Sequence, residues 1–370
     1  MHNKALKIFI FLILSFTFFT QMTACTEKVE YIIPDENQQV LEKEAVNVAA
    51  PRESPSDFQA GVAVLDYGND DEFEEKIIKL LDHLASINVN CVNLVFPIFQ
   101  DNWKSSNLQI DEKLTPSDEN IRIFIREAHK RNFTVMIRLT IDELSLIPDN
   151  KWRGDIQPKD RDLWFKSYSE ITLRYTRICE QEGVEIISIG TELSSLEKET
   201  LHWRSLIEDI RDIYRGQLTY SVNWHNAFDS DIEFWNELDF ISISAFFPLD
   251  APLAATIEEL SLAWEPWINK TKELKESYGK PVVFTEVGTI SQAGSYRSPW
   301  RWEHDTPEDL EAQNIYYRAT CQASKGTIDG LYWWCVDIDS LDPEHSPGFN
   351  PLGKPAEKAL AECFAGKSHK

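Results

Sequence analysis

Apolar residues in this chain follow two alternating rhythms. Short, nearly continuous apolar runs occupy residues 61–67, 91–96, 135–141, 185–191, 218–224, 240–246, 282–286 and 330–335. Runs of that kind predict parallel strands buried on both faces. Between them lie amphipathic stretches at 72–87, 118–131, 160–182, 198–214, 257–278, 307–324 and 356–365, whose apolar positions recur at helical spacing, as in Ile77, Leu80, Leu81 and Leu84. The link between the fifth and sixth strands has no long helix and offers only a short turn at 234–238. Eight strands alternating with helices predict an α/β fold, a (β/α)8 TIM barrel rather than an open doubly wound sheet, and no Gly-x-Gly-x-x-Gly loop follows the first strand. Helix boundaries agree: Asp305-Thr306-Pro307-Glu308-Asp309 predicts a cap followed by a first-turn Pro, and Gly183, Gly216, Gly279 and Gly326 are each expected to close a helix.

The first 57 residues break this rhythm. Met1 to Lys7 is basic, and Ile8 to Phe19 is an apolar stretch shorter than the ~20 residues of a membrane span, so residues 1–25 read as a signal peptide. The run Met22-Thr23-Ala24-Cys25 resembles a bacterial lipobox, which implies lipidation of Cys25; an ordinary cleavage site beside an incidental cysteine is the alternative. Residues 26–57 are polar and acidic with Pro34, Pro51 and Pro55, the composition of a flexible tether. The barrel domain is then expected over 58–370, held by a lipid anchor in the bacterial cell envelope, with the membrane left open between inner and outer.

Charge narrows the partners. A net charge of −24 argues against nucleic acid and against polyanionic glycans, whereas a neutral polysaccharide carries no electrostatic penalty. The 12 tryptophans suit sugar recognition, since flat aromatic faces stack on the apolar faces of sugar rings, and about half are expected to be structural. The cysteines after Cys25, namely Cys91, Cys179, Cys321, Cys335 and Cys363, have no metal-ligand spacing and read as packed thiols, with no disulfide, zinc site or cofactor predicted.

Two strand ends carry the candidate chemistry. The fourth predicted strand runs into Gly190-Thr191-Glu192-Leu193 and the seventh into Phe284-Thr285-Glu286-Val287-Gly288. In a barrel the C-terminal strand ends face the active site, and strands four and seven stand across the pore from one another. A lone strand-end glutamate is as easily a salt-bridge partner, but two facing carboxyl groups suit retaining glycosidases, in which they stand about 5–5.5 Å apart, one protonated and one ionised. These motifs, with Trp152-Arg153-Gly154-Asp155-Ile156 and Tyr220-Ser221-Val222-Asn223-Trp224, resemble those of glycoside hydrolase family 113. The resemblance, over about 58–353, implies a retaining β-mannanase of the large barrel clan, with Glu192 as general acid/base and Glu286 as nucleophile acting on a β-mannan or glucomannan. Glu192 is then expected to hold a raised pKa, supplied by the charge of Glu286.

Other positions follow from strand ends. Asn223 and Trp224 end the fifth strand and are placed to bond and stack a sugar. Trp152 and Arg153 lie in the loop after the third, to wall the cleft or pack cation on ring. Of Trp333 and Trp334 only one can face the pore, and Trp334 is the choice. Asp142 and Gln100, at the ends of the third and second strands, are candidates to bind a hydroxyl. Two departures from the family pattern stand out. Phe246 occupies the sixth-strand position where a Tyr bonds the nucleophile, and Arg138-Leu139-Thr140 replaces a Lys-Pro-His run. They leave open another neutral β-glycan such as glucan or galactan, or a glycan-binding surface lipoprotein without catalysis.

Overall fold

The computed structural model describes residues 58–229, 232–341 and 348–365. The predicted signal peptide, Cys25 and the tether lie outside the described residues.

Eight parallel strands close a barrel in chain order: β1 (Gln59–Leu65), β2 (Cys91–Ile98), β3 (Thr134–Ile141), β4 (Ile186–Thr191), β5 (Gln217–Asn223), β6 (Ile241–Ser244), β7 (Val282–Val287) and β8 (Gly330–Asp337). Closure comes from β8 pairing with β1, with Gln59 opposite Gly330 and Gly61 opposite Tyr332. Among the described residues seven helices form the outer layer: α1 (Phe73–Ser86), α2 (Asp118–Lys130), α3 (Arg161–Glu182), α4 (Thr200–Arg211), α5 (Ile257–Tyr278), α6 (Leu310–Ser324) and α7 (Pro355–Phe364). As the pattern predicted, the described residues of the β5–β6 link carry no long helix but a 3-10 turn, Glu233–Glu237. Strand residues facing outward pack against the helices in one large apolar core.

The pore is filled in layers of different chemistry. At the N-terminal end Cys91, Met136, Ile186, Phe240, Val283 and Tyr332 form an apolar plug. A side chain at Gly61 would place its Cβ 2.2 Å from the Tyr332 ring, so glycine there is what lets the ring enter the pore. Above the plug the layer turns polar: the Thr219 and Ser242 hydroxyls are 2.7 Å apart, as are those of Ser221 and Thr285, and Arg138 from β3 crosses to the carbonyl of Thr285 on β7 at 3.3 Å. The register slips between Ser188 and Thr191 along β4–β5, between Ile243 and Ser244 along β6–β7, and between Phe284 and Val287 along β7–β8. Bulges of this kind re-aim side chains, and these flank the two glutamates.

Three sequence expectations change. The α6 cap is Asp309, whose carboxylate accepts from the Glu311 and Ala312 amides, so Pro307 lies before the helix, in a loop where its carbonyl accepts from Ala293. Gly183 and Gly279 do close α3 and α5 in the left-handed conformation, but Gly216 stands beyond the end of α4, where a Cβ would meet the Tyr214 hydroxyl and the Glu185 carbonyl. Cys321 and Cys363 are not packed thiols but a disulfide joining α6 to α7, with Cα atoms 5.8 Å apart. Cys91, Cys179 and Cys335 are buried free thiols as expected.

Candidate active site

Glu192 is the first residue past β4 and is 5 % exposed. It adopts φ 56°, a left-handed conformation that costs a non-glycine residue about 1 kcal/mol or more and gathers at functional sites. Its amide donates to the Ser221 carbonyl at 2.8 Å, and its carboxylate has two donors: Asn223 Nδ2 to Oε1 at 2.7 Å and Arg153 Nη1 to Oε2 at 2.8 Å. Glu286, on β7 opposite, is 4 % exposed and pairs through Oε1 with Arg138 Nη1 at 3.0 Å. Ser244, its register neighbour on β6, gives it a hydroxyl hydrogen bond. That serine supplies a hydroxyl that Phe246 cannot; the Phe246 ring instead packs against Trp334 and Phe349.

Glu286 carries a raised pKa. Burial pushes the Glu286 carboxyl up to about 7, Arg138 and Arg153 pull it down, and the Glu192 charge pushes it up.

Arg138 was visible in the sequence only as a departure from the family run, yet it anchors the site floor. It is wholly buried in the middle of an apolar strand, and besides Glu286 it reaches Thr285 and Ser221. With its side-chain amide turned, Asn93 adds acceptor contacts at 3.0 and 3.3 Å. Burial lowers its pKa while Glu286 and Glu192 act to raise it. The signal for it was a charge inside an otherwise apolar run, a combination that survives only when paired.

The other sequence candidates are placed as follows. Arg153 does not pack on the Trp152 ring; it bridges Glu192 to Glu143, 3.2 Å away, and donates to the Ile141 carbonyl. Burial works against its charge, but Glu143, Glu192 and Glu286 together raise its pKa. Trp152 lies over Gly154 and meets His225 edge-on at 5.5 Å. Asn223 spends its amide nitrogen on Glu192 and its oxygen on His225, so it holds the carboxylate rather than standing free. Asp142 accepts from the Tyr67 hydroxyl at 3.2 Å and from the Leu144 amide. Gln100 has both ends of its amide engaged inside the protein, accepting from Trp164 on α3 and donating to the Asn102 carbonyl, which makes it a bracket for the β2 loop.

The tryptophans divide as expected. Trp164, Trp203, Trp235, Trp264 and Trp333 are fully buried, Trp333 stacked on Tyr317 at 3.6 Å. Trp334 faces the other way, into the pore, with the Arg138 guanidinium 5.7 Å from its ring centre. Trp224 stacks on Trp300, and Trp302, 58 % exposed, stands against Phe349. Trp300 and Trp302, in the β7–α6 loop, were not singled out in the sequence because loops carry no strand-end register to place them. Among the described residues no cluster of His, Cys, Asp or Glu is arranged to hold a metal ion.

Comparison with known proteins agrees with the barrel fold. The profile of Glycoside Hydrolase Family 113 matches residues 68–347. A solved family 113 β-mannanase from Alicyclobacillus acidocaldarius, in complex with ManMIm, superposes with a TM-score of 0.74 at 24% identity, covering 84% of this chain and 98% of that one. A second family 113 β-1,4-mannanase gives 0.73 at 22% identity, covering 84% and 99%. An endo-1,4-β-mannanase from Rhizomucor miehei shares the fold more distantly, at 0.51 and 13% identity, over 86% and 99%. No curated protein matches the sequence.

Proposed function

The chain belongs to glycoside hydrolase family 113, and on that premise we propose that it is an endo-acting β-mannanase that cleaves β-mannan or glucomannan with retention through Glu192 and Glu286. The observation that carries the proposal is the pair itself: two buried glutamates at the ends of β4 and β7, each held by its own arginine and close enough to feel each other's charge.

The reaction runs in two displacements. A Glu286 carboxylate oxygen attacks the anomeric carbon, the bond to the glycosidic oxygen breaks, and Glu192 gives that oxygen its proton. Glu192 then takes a proton from water, the water oxygen attacks the same carbon, and Glu286 leaves. The nucleophile must be ionised when substrate is bound, and Arg138 with the Ser244 hydroxyl favours that state of a carboxyl that burial would otherwise keep neutral. The proton for the leaving oxygen must then sit on Glu192, so Arg153 has to loosen its hold on that carboxylate as the glycosidic oxygen arrives. Trp334 offers a ring to the sugar over the pore, and Trp152, Trp300 and Trp302 offer aromatic faces further along the rim.

The neighbours described as β-mannanases support the choice of sugar. The same reading puts the enzyme in the bacterial cell envelope, tethered by a lipid on Cys25. The Cys321–Cys363 disulfide supports export, because disulfides persist in oxidising compartments. Incubation of the protein with a panel of neutral β-glycans tests the function. New reducing ends from mannan or glucomannan, absent with Glu286→Ala, are expected. Cleavage of glucan or galactan alone would overturn the substrate, and binding without cleavage would overturn the reaction.

A further inference from the structure

We propose that Glu197 and Tyr220 form a positioning relay that fixes the backbone of Glu192, and through it the acid/base carboxyl, at the end of β4. The inference rests on the assignment of Glu192 as acid/base. Glu197 is 2 % exposed and lies just beyond the 3-10 turn Ser194–Leu196 that follows Glu192, and the two displacements make no use of it. Its Oε1 accepts from the Tyr220 hydroxyl at 3.1 Å, and its Oε2 accepts from Asn226 Nδ2. The Tyr220 oxygen in turn accepts from the Leu193 amide at 2.9 Å. Leu193 follows the left-handed Glu192 directly, so this amide bond and the one from the Glu192 amide to Ser221 close on both sides of the strained residue.

The parts of the relay are rigid. Tyr220 lies on the outer face of β5, its ring edge-on to Trp203 at 5.3 Å and to Phe234 at 5.5 Å, and it fills the space that a Cβ on Gly190 would take. Its hydroxyl is therefore aimed by packing. A buried carboxyl is costly to keep, and burial pushes Glu197 up to about 7, with the Glu192 charge adding to the rise. An apolar residue would pack the same turn, but it could not give the Tyr220 hydroxyl an acceptor and so could not orient the lone pair that receives the Leu193 amide. Asn226 lies in the β5 loop three residues past Asn223, which itself bonds the Glu192 carboxylate. The β5 end thus grips Glu192 at its amide, at its side chain and, through the relay, at the following amide.

The test is the dependence of rate on leaving group, which a merely structural role would not move. Acid assistance matters for poor leaving groups and hardly at all for good ones. In the full-length protein, Tyr220→Phe keeps the ring and removes the hydroxyl. It is expected to lower kcat/KM by roughly 10- to 100-fold on mannan and on phenyl β-mannosides of suitable length, but by less than about 3-fold on the matching 2,4-dinitrophenyl glycosides. Glu197→Gln keeps an acceptor for the Tyr220 hydroxyl and is expected to lose less on the same poor leaving groups, while Glu197→Leu should match Tyr220→Phe. Equal losses on good and poor leaving groups, in variants whose thermal midpoints are unchanged, would overturn the relay. Glu192→Ala separates the two layers of the argument. If it shows no leaving-group dependence, the acid/base assignment fails and the relay with it; if it shows a strong one and neither relay variant does, the relay alone fails.

Discussion

Replacing Arg138 with Met should turn Glu286, the proposed nucleophile, into an acid that is neutral at working pH. The guanidinium is wholly buried and its Nη1 lies 3.0 Å from Glu286 Oε1. Two unit charges about 4 Å apart at an effective dielectric of about 20 attract by about 4 kcal/mol, which corresponds to about three pKa units. Arg153, Ser244 and water entering the space recover part of that, so a rise of roughly one to three units is expected. Glu286 starts at about 7. At pH 7 its ionised fraction would therefore fall by about 5-fold for one unit and about 500-fold for three, and kcat/KM should fall with it. The assay is the pH profile of kcat/KM on mannan oligosaccharides. Its acidic limb should move upward in Arg138→Met and only slightly in Arg138→Lys, which keeps the charge but not the fork. Removing one partner of a buried pair typically costs about 3–5 kcal/mol, so thermal midpoints must be read alongside. An acidic limb in the unmutated position, with a loss below about twofold, would refute the reasoning.

Three further outcomes follow from the same structure and sequence. Cys321→Ser opens a bridge spanning 42 residues and should lower stability by about 4 kcal/mol on the chain-entropy account, seen as a lower thermal midpoint under oxidising conditions and no difference under reducing ones. Asp66 is buried with Oδ2 unpartnered, and burial, then Asp70, push it up to about 7. Because the folded state holds that proton more tightly than the unfolded chain, its contribution is present below about pH 4 and lost as pH rises through 7, so Asp66→Asn should be the more stable protein at pH 8, by an amount of order 1–4 kcal/mol, with the gap closing at pH 4. Under the proposed lipid anchoring, Cys25→Ser should move the protein from the membrane fraction to the soluble one in a bacterial expression host; unchanged fractionation would remove the anchor.

The barrel was legible because buried parallel strands and amphipathic helices write different periods into a sequence, and counting them put Glu192 and Glu286 on the fourth and seventh strands. Register alone also separated Trp334 from Trp333, since alternate strand residues face opposite ways. What was not legible depends on tertiary partners. Asn223 and Arg153 were placed at the rim, but nothing local says that both converge on Glu192. Arg138 and Ser244 bond Glu286 from strands β3 and β6 that are distant in sequence. The disulfide depends on how α6 packs on α7, and Gln100, a strand-end amide by position, is captured by a tryptophan on α3. The raised pKa of Glu286 comes from burial set against two nearby arginines, and strand counting reveals neither.

The central claim is that Glu286 forms the covalent bond in a retaining, two-step reaction. Brief incubation with a mannosyl fluoride carrying fluorine at C2, which slows the second step, followed by peptide mass spectrometry, tests it most directly. The account predicts one sugar per chain, attached within the peptide that contains Glu286, and turnover that stops as the label accumulates. Label on Glu192, or hydrolysis of mannan with inverted configuration and no trapped intermediate, would contradict it.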